Sequence, residues 1–527
     1  MGRAKYGGCV AAEDSAKLVL RENVGTPELA TWWSSGIGVV VCIAVGTVLI
    51  HLATGWRYGF DRDELMVLED ARHLAWGYVQ YPPITVFFGR MALMLFGTSL
   101  VGFRFFAGVV QALALVLTGL MAKELGGGKW AQVVAAAAGV PFCLGAGALM
   151  QYISFDYACW VLVAYCMIRL LRTDDARWWL GVGASIGLGM MSKYTMGFFA
   201  LGLVTGVLVT PARKYLKSIW LWSGAVVSVL IFVPNFAWQW RRNFISLDFL
   251  RFVHTRDVAT GVTDAFLSGQ LRLMLLAFPV ALAGICVYLI LPEGARWRAI
   301  GWMYVVPLVL LFAMRGRDYY MAPAYPMLYA GGAVWFEKNL ARQKAGSRWP
   351  SIVRKSVAVC LVLDILVAGA VALPIAPVGS RWWEFAAQVD TVFPEEIGWR
   401  QFVRSVAQVR DELPPGERAH VGILAGNYGE VGALNLYGPK YGLPRAISGV
   451  NSSWERGYGD PPPETVIAMG YPFQLLTQEF SSCDLSARTW NGFGVSNEET
   501  AEVRDIFVCR GLKTSWPEFW VKVKKFA

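Results

Sequence analysis

Three carboxylates and a guanidinium stand side by side at Asp61-Arg62-Asp63-Glu64, a density of charge that is costly beside apolar sequence unless it does something. A carboxylate in this run could act as a general base on an acceptor hydroxyl or hold a divalent metal ion. It could also cap a helix, since Asp suits a helix start. For Asp63 the functional role is preferred over capping, whereas Glu69 and Asp70 are read as a solvated face. Asp156, at the edge of an apolar segment, is a second acidic candidate. Cations fitted to an anion follow in Lys193-Tyr194 and in Arg315-Gly316-Arg317-Asp318-Tyr319-Tyr320. Arg offers a planar fork of donors and Lys a compact charge, so both suit a phosphate. Arg315 is equally explained by snorkelling to an interface. Lys193 follows Gly181, Gly183, Gly187 and Gly189, small residues that let helices approach closely and leave the lysine facing its neighbours.

These residues must be positioned by a bilayer-embedded scaffold. The 527 residues are 55% hydrophobic and 16% charged with a mean hydropathy of +0.43, too apolar for a soluble chain of this length. Apolar segments that recur from Gly36 to Pro374 predict a polytopic α-helical membrane protein of about eleven spans. They are placed at 36–54, 100–121, 131–147, 152–171, 178–192, 196–210, 218–238, 266–291, 299–314, 319–336 and 354–373. A further apolar stretch, 84–97, is led by Pro82-Pro83 and begins Phe87-Phe88-Gly89-Arg90, which suits a helix lying at the interface. The loop 55–83 carries the acidic run, and 63–77 has the spacing of a helix along the membrane surface.

The basic residues sort to alternate ends. Residues 1–35 form a basic tail with no small-residue cleavage site, so the first span is read as an uncleaved anchor. With this tail inside, the loops holding Lys123 and Lys129, Arg172 and Arg177, Arg213 to Lys217, Arg296 and Arg298, and Lys338 to Lys355 all fall on the cytoplasmic side. Asp61 to Glu64, Asp156, Lys193 and Arg315 to Tyr320 then share the opposite face. Their convergence on one surface points to a site.

From residue 376 to 527 the composition becomes that of an exported, small α/β domain. Val421-Gly422-Ile423-Leu424, Thr465-Val466-Ile467-Ala468 and Asp505-Ile506-Phe507-Val508 read as buried strands. Asn427-Tyr428-Gly429-Glu430 follows the first of them, either as an acceptor-binding loop or as an ordinary turn and cap. Six of the nine cysteines lie in apolar spans, whereas Cys483 and Cys509 lie in this exported domain and are the disulfide candidates. The four histidines are scattered, which argues against a zinc site. No phosphate-binding glycine loop is present, and the net charge of +10 is spread over short loops, which argues against nucleic acid. Any activated substrate therefore has to arrive by another route, and a lipid carrying its activating phosphate at the outer surface would fit.

The ordered series Asp63-Glu64-Leu65, Ala71-Arg72-His73-Leu74-Ala75-Trp76-Gly77-Tyr78, Tyr81-Pro82-Pro83, Phe96-Gly97-Thr98-Ser99, Arg104, Glu124-Leu125-Gly126-Gly127, Asp156, Ser192-Lys193-Tyr194 and Arg317-Asp318-Tyr319-Tyr320 resembles GT-C membrane glycosyltransferases. The likeness is to the protein O-mannosyltransferase and lipid A aminoarabinose transferase type, in its bacterial, Rgt-like branch, over about the first 335 residues. It implies a polyprenyl-phosphate sugar as donor, inversion at the anomeric carbon, and residence in a bacterial inner membrane. Carried onto this chain, it makes Asp63 the base, with Glu64 and Asp156 beside it and Asp61 able to share or take that role. Lys193 and Arg317 would receive the leaving phosphate, with Tyr194, Arg315, Tyr319, Tyr320, Arg72 and Tyr81 as further substrate contacts. A divalent metal ion at the carboxylates is left open, and the resemblance names no acceptor.

Two other classes share parts of this pattern. A secondary transporter of an anionic or lipid-linked substrate would also have many spans and a few buried charges, but transporters favour internal repeats and midplane sites, and neither is visible here. A scaffold that presents the tail to partners gives no reason for Asp63, Asp156 and Lys193 to converge.

Overall fold

The computed structural model describes residues 35–344 and 346–527, apart from the side chain of residue 502. The expected cytoplasmic tail, 1–35, therefore lies almost wholly outside the described residues. The membrane part contains α1 (Gly36–Thr54), α2 (Arg62–Arg72), α3 (Ile84–Phe96), α4 (Leu100–Glu124), α5 (Lys129–Ala146), α6 (Tyr152–Thr173), α7 (Trp178–Met190), α8 (Met196–Val209), α9 (Ile219–Trp240), α10 (Ile245–Ala259), α11 (Phe266–Met274), α12 (Phe278–Leu289), α13 (Arg298–Ala313), α14 (Tyr325–Ala341) and α15 (Trp349–Ala372).

Among the described residues, eight helical stretches are long and apolar enough to cross a bilayer, or nine if α8 and the 3-10 segment that follows it at a 99° bend make one span. The expected eleven also count shorter pieces. Helix α7 is apolar but has 13 residues. The expected span 319–336 is split into a 3-10 segment, Asp318–Ala324, and α14, which is buried along most of its length. A short span inside a bundle needs no lipid-length apolar surface, because protein covers it. Helix α10 has no counterpart among the expected elements: it is a charged helix between two spans, and it carries Asp257.

Glycines permit a close crossing of α7 and α9 in this bundle. A Cβ at Gly183 of α7 would sit 1.9 Å from the Gly224 carbonyl oxygen of α9, and one at Gly224 would sit 2.2 Å from the Trp179 carbonyl oxygen. Any side chain at either position would separate the helices. This contact fixes the end of α7, where Lys193 emerges.

Beyond α15 come α16 (Arg381–Val389), α17 (Trp399–Glu412) and α18 (Tyr428–Tyr437) around a five-stranded sheet. Its strands are β1 (Val421–Ala425), β2 (Ala446–Ile447), β3 (Thr465–Met469), β4 (Phe480–Arg488) and β5 (Asp505–Leu512), in the order β2-β1-β3-β5-β4. The first three run parallel, and β5 and β4 are antiparallel. Cys483 and Cys509 lie opposite each other on β4 and β5 and are joined by a disulfide.

The sheet domain sits directly on the acidic loop. Leu65, Leu68 and Ala71 of α2 share one buried apolar cluster with Val431, Ala433 and Leu434 of α18. At their crossing a Cβ on Gly432 would come within 2.5 Å of the Leu65 carbonyl oxygen, so the two backbones touch. The helix expected to lie along the membrane surface is instead clamped between the membrane bundle and the C-terminal sheet domain.

Candidate active site

Helix α2 begins with a capping box. Asp61 is the N-cap and accepts the Asp63 amide at 2.8 Å, and the Glu64 carboxylate accepts the Asp61 amide at 3.1 Å. Capping therefore falls to Asp61, and Asp63, in the first turn, keeps its carboxylate for other partners. That position favours an anion, because the unpaired amides of a helix start carry partial positive charge.

Glu64 is fully buried and saturated. It accepts Arg104 Nη2 at 2.6 Å, Arg104 Nε at 3.0 Å and the Met150 amide at 2.9 Å. It locks α2 to α4 and to the start of α6, and no lone pair is directed at a substrate.

Asp63 is only partly covered, and the Tyr428 hydroxyl from the C-terminal sheet domain donates a hydrogen bond to it. Burial pushes its carboxyl above the usual range, while Arg62, the Tyr428 hydrogen bond and Arg317 pull it back. Asp61 is driven much further up by burial, with the charges of Asp63, Glu64 and Glu396 adding to the effect. Of the two carboxyls, Asp63 is the one that ionises more readily, and its raised proton affinity suits a general base. Arg62 is held by Glu498 and lies 5.1 Å from the Tyr428 ring centre.

Lys193 lies against the Tyr152 ring, whose hydroxyl is also within electrostatic reach of Asp63. Its ammonium stands 4.0 Å from the Tyr320 ring centre, 4.9 Å from that of Tyr152 and 5.0 Å from that of Tyr319. Three ring faces hold the charge in place without neutralising it, as cation–π contacts do. Asp156 lies within electrostatic reach of this ammonium, and its two oxygens accept Trp160 Nε1 and Thr195 Oγ1, each at 3.0 Å. That carboxylate is thus oriented by neutral donors and acts on Lys193 through space.

Arg317 forms a two-pronged pair with Asp257 of α10, Nε to Oδ2 at 2.5 Å and Nη2 to Oδ1 at 2.8 Å. Its charge is felt at Asp63 and at Tyr152, so it lies within electrostatic reach of both.

The remaining candidates fall outside this cluster. Arg315 is half exposed and pairs with Asp264 at 2.6 Å. The Tyr194 hydroxyl donates to Asn235 at 3.1 Å and accepts from Gln239 at 2.8 Å, so it braces α9. Tyr81 donates to Asp70 at 2.7 Å, with its ring beside Tyr152. Arg72 donates to the Asn435 carbonyl at 2.9 Å, across the seam with the C-terminal sheet domain. Asn427 caps α18, and Glu430 closes that cap by accepting the Gly426 and Asn427 amides at 2.7 and 3.1 Å. Of that loop, Tyr428 is the residue that faces the acidic run.

Glu69 and Asp70, expected on a solvated face, are buried: Asp70 pairs with Arg456 of the C-terminal sheet domain, and the domain itself excludes the solvent. Sequence reasoning passed over Tyr152, Asp257 and Glu498. Tyr152 opens a span and reads as an interfacial aromatic, and Asp257 sits 60 residues from the arginine that it orients. Among the described residues, no three His, Cys, Asp or Glu side chains are grouped to hold a metal ion.

Residues 80–238 match the model of a family described as dolichyl-phosphate-mannose-protein mannosyltransferase. The crystal structure of apo ArnT from Cupriavidus metallidurans superposes with a TM-score of 0.57 at 16% identity, over 91% of this chain and 98% of that one. The same protein bound to undecaprenyl phosphate gives 0.55 at 17% identity, over 90% and 97%. No curated protein sequence matches. The expected GT-C fold, a multi-pass helical body with a C-terminal sheet domain, is the fold of this chain.

Proposed function

We infer that this multi-pass membrane protein of the GT-C fold is a glycosyltransferase that moves a sugar from a polyprenyl-phosphate donor to a hydroxyl acceptor, with inversion. The observation that carries the reading is the meeting of a carboxylate of raised proton affinity, Asp63, with a caged ammonium, Lys193, and the Arg317 guanidinium around Tyr152. ArnT, whose fold this chain shares, is seen with undecaprenyl phosphate bound, which supports the donor class.

Asp63 takes the proton of the acceptor hydroxyl as its oxygen bonds to the anomeric carbon. The bond from that carbon to the phosphate oxygen breaks on the opposite face, and the electron pair leaves with the polyprenyl phosphate. The leaving group gains a negative charge in this step, so fixed cations stabilise the transition state more than the ground state. Lys193 and Arg317 fill that role. The three tyrosine rings hold the ammonium for an incoming anion, and Asp257 fixes the plane of the guanidinium.

The site is assigned to the outer face of a bacterial inner membrane, with the N-terminus cytoplasmic. In this reading residues 36–375 are the transferase body, 55–83 the catalytic loop and 376–527 the exported domain. The Cys483–Cys509 disulfide supports export, since such bonds persist in oxidising compartments.

The test is transfer of labelled sugar in membranes that hold matched amounts of wild type, Asp63→Asn or Lys193→Ala, with a panel of polyprenyl-phosphate sugars. Asp63→Asn is expected to lose about 10²–10⁴-fold in transfer, the usual worth of a general base, while still binding polyprenyl phosphate. Lys193→Ala is expected to lose both. Undiminished transfer by Asp63→Asn would move the base to Asp61 or Asp156. A wild type that consumes no donor across the panel and a set of acceptors would return the chain to the transporter class.

A further inference from the structure

The seam between α2 and the exported domain holds two cavities, of about 460 and 290 Å³, which the reaction described above does not use. Both are lined by Glu69, Pro444 and Arg445, so they join into one trough beside the edge strand β2. Each volume is of the order expected for a small-ligand pocket.

The polar groups of the trough are arranged for a particular kind of guest. Glu69, 3% exposed, lies at the junction, and among the described residues its Oε1 has no hydrogen bond. Two guanidiniums approach that oxygen without reaching it well, Arg445 at 3.5 Å and Arg456 at 3.6 Å. Arg456 is occupied by Asp70. Arg445 is half exposed and reaches into both cavities, and Arg72 stands 3.7 Å from Glu69 on the far side. Three guanidiniums thus meet two carboxylates at the junction, which leaves positive charge facing the opening. The remaining lining carboxylate, Glu464, is exposed at the outer rim.

Tyr458 adds an aromatic wall and is itself stacked on Trp516, and Ser448 and Ser453 add hydroxyls. A buried carboxylate oxygen that lacks a donor calls for a hydroxyl, a half-exposed guanidinium for an anion, and an aromatic wall for a flat apolar face. Saccharides that bear a negative group offer all three.

Resting on the glycosyltransferase reading, we propose that this trough binds an anionic saccharide, phosphorylated or uronate-bearing, as the non-reacting part of the acceptor. Glu69 lies six residues beyond Asp63 on the same helix, about 9 Å along its axis at ~1.5 Å per residue. The two side chains also project about 120° apart around the helix, so a guest of about three sugar units is needed to link them. Because α2 forms both the base of the active site and the floor of the trough, a guest held here is indexed to Asp63 by a rigid element.

The test uses the full chain in detergent, with a trigalacturonate, trehalose 6-phosphate and neutral maltotriose as probes and binding read by ligand-observed NMR. The trigalacturonate and the sugar phosphate separate the two sources of charge. At least one of them is expected to bind ten-fold or more tightly than maltotriose. Arg445→Ala is expected to weaken that binding by about 10–100-fold, the range for a lost hydrogen bond to a charged group, while polyprenyl phosphate still binds.

Equal affinity for the neutral sugar, binding of none of the probes, or indifference to Arg445→Ala would overturn the assignment. The two readings fail separately. If the wild type transfers sugar and Arg445→Ala leaves the acceptor KM unchanged, the trough is not an acceptor site and the enzyme stands. If no transfer is found but anionic sugar binding is lost in Arg445→Ala, the trough stands as a binding site and the enzyme reading falls.

Discussion

Replacing Tyr428 by Phe removes one oxygen from the C-terminal sheet domain and tests whether that domain tunes the proposed base, Asp63. The hydroxyl donates to Asp63, and the ring lies under Arg62 at 5.1 Å. Phe keeps the ring and its contact with the guanidinium and deletes only the donor. Burial holds the Tyr428 phenol far above its usual range, so it is a proton donor throughout the working pH. A hydrogen bond to a charged group contributes about 1.5–3 kcal/mol. One pH unit corresponds to about 1.36 kcal/mol, so its loss raises the Asp63 proton affinity by roughly one to two units. Asp63 must be ionised to accept a proton, and the lost bond had favoured the ionised form. The acid limb of kcat/KM therefore moves to higher pH by about one to two units, with activity kept well above the limb. The assay is the pH dependence of labelled-sugar transfer by detergent-solubilised wild type and Tyr428→Phe. A limb that stays in place or moves down would refute the hydrogen-bond argument, and an equal loss at every pH would make Tyr428 a packing residue only.

Two further predictions concern groups around the site. Glu64→Gln breaks a fully buried pair with Arg104, and removing one partner of such a pair costs about 3–5 kcal/mol, so the thermal midpoint in detergent should fall sharply. A variant that melts like wild type but fails to transfer sugar would make Glu64 catalytic instead. Glu499 is pushed up to about 8 from an ordinary 4.5, first by burial, so the stability tied to its protonated form is complete below pH 4.5 and is lost as the pH rises through about 8. Glu499→Gln should flatten the fall in thermal midpoint between pH 5 and 8, and an unchanged slope would show that Glu499 does not contribute to it.

The carboxylates show where reading the sequence stops. From spacing alone, Asp61, Asp63 and Glu64 are interchangeable, because each can cap a helix, pair with a cation or accept a proton. The choice was made by Arg104, 40 residues away, which takes Glu64, and by the geometry of the first turn, which gives the cap to Asp61. Lys193 was legible because a charge after a glycine-rich apolar helix has few bland uses, yet the ring cage around it needed Tyr152 and Tyr320 to arrive from other elements. Glu69 and Asp70 were assigned to a solvated face because helical periodicity reports an apolar stripe and not what later covers the other side.

What the sequence determined by itself is local in origin. Segment length against bilayer thickness, the sorting of basic loops and short apolar runs that make strands all depend on neighbours within about twenty residues. They suffice for a polytopic body, a sheet domain after it and one face that collects the charge. The docking of α18 on α2 was left to the tertiary structure. It brings Tyr428 to Asp63, buries Asp70 against Arg456 and creates the trough at Glu69. Those contacts join residues hundreds of positions apart, such as Arg72 and Asn435 at a separation of 363, and no periodicity in a chain records which distant surface will be covered.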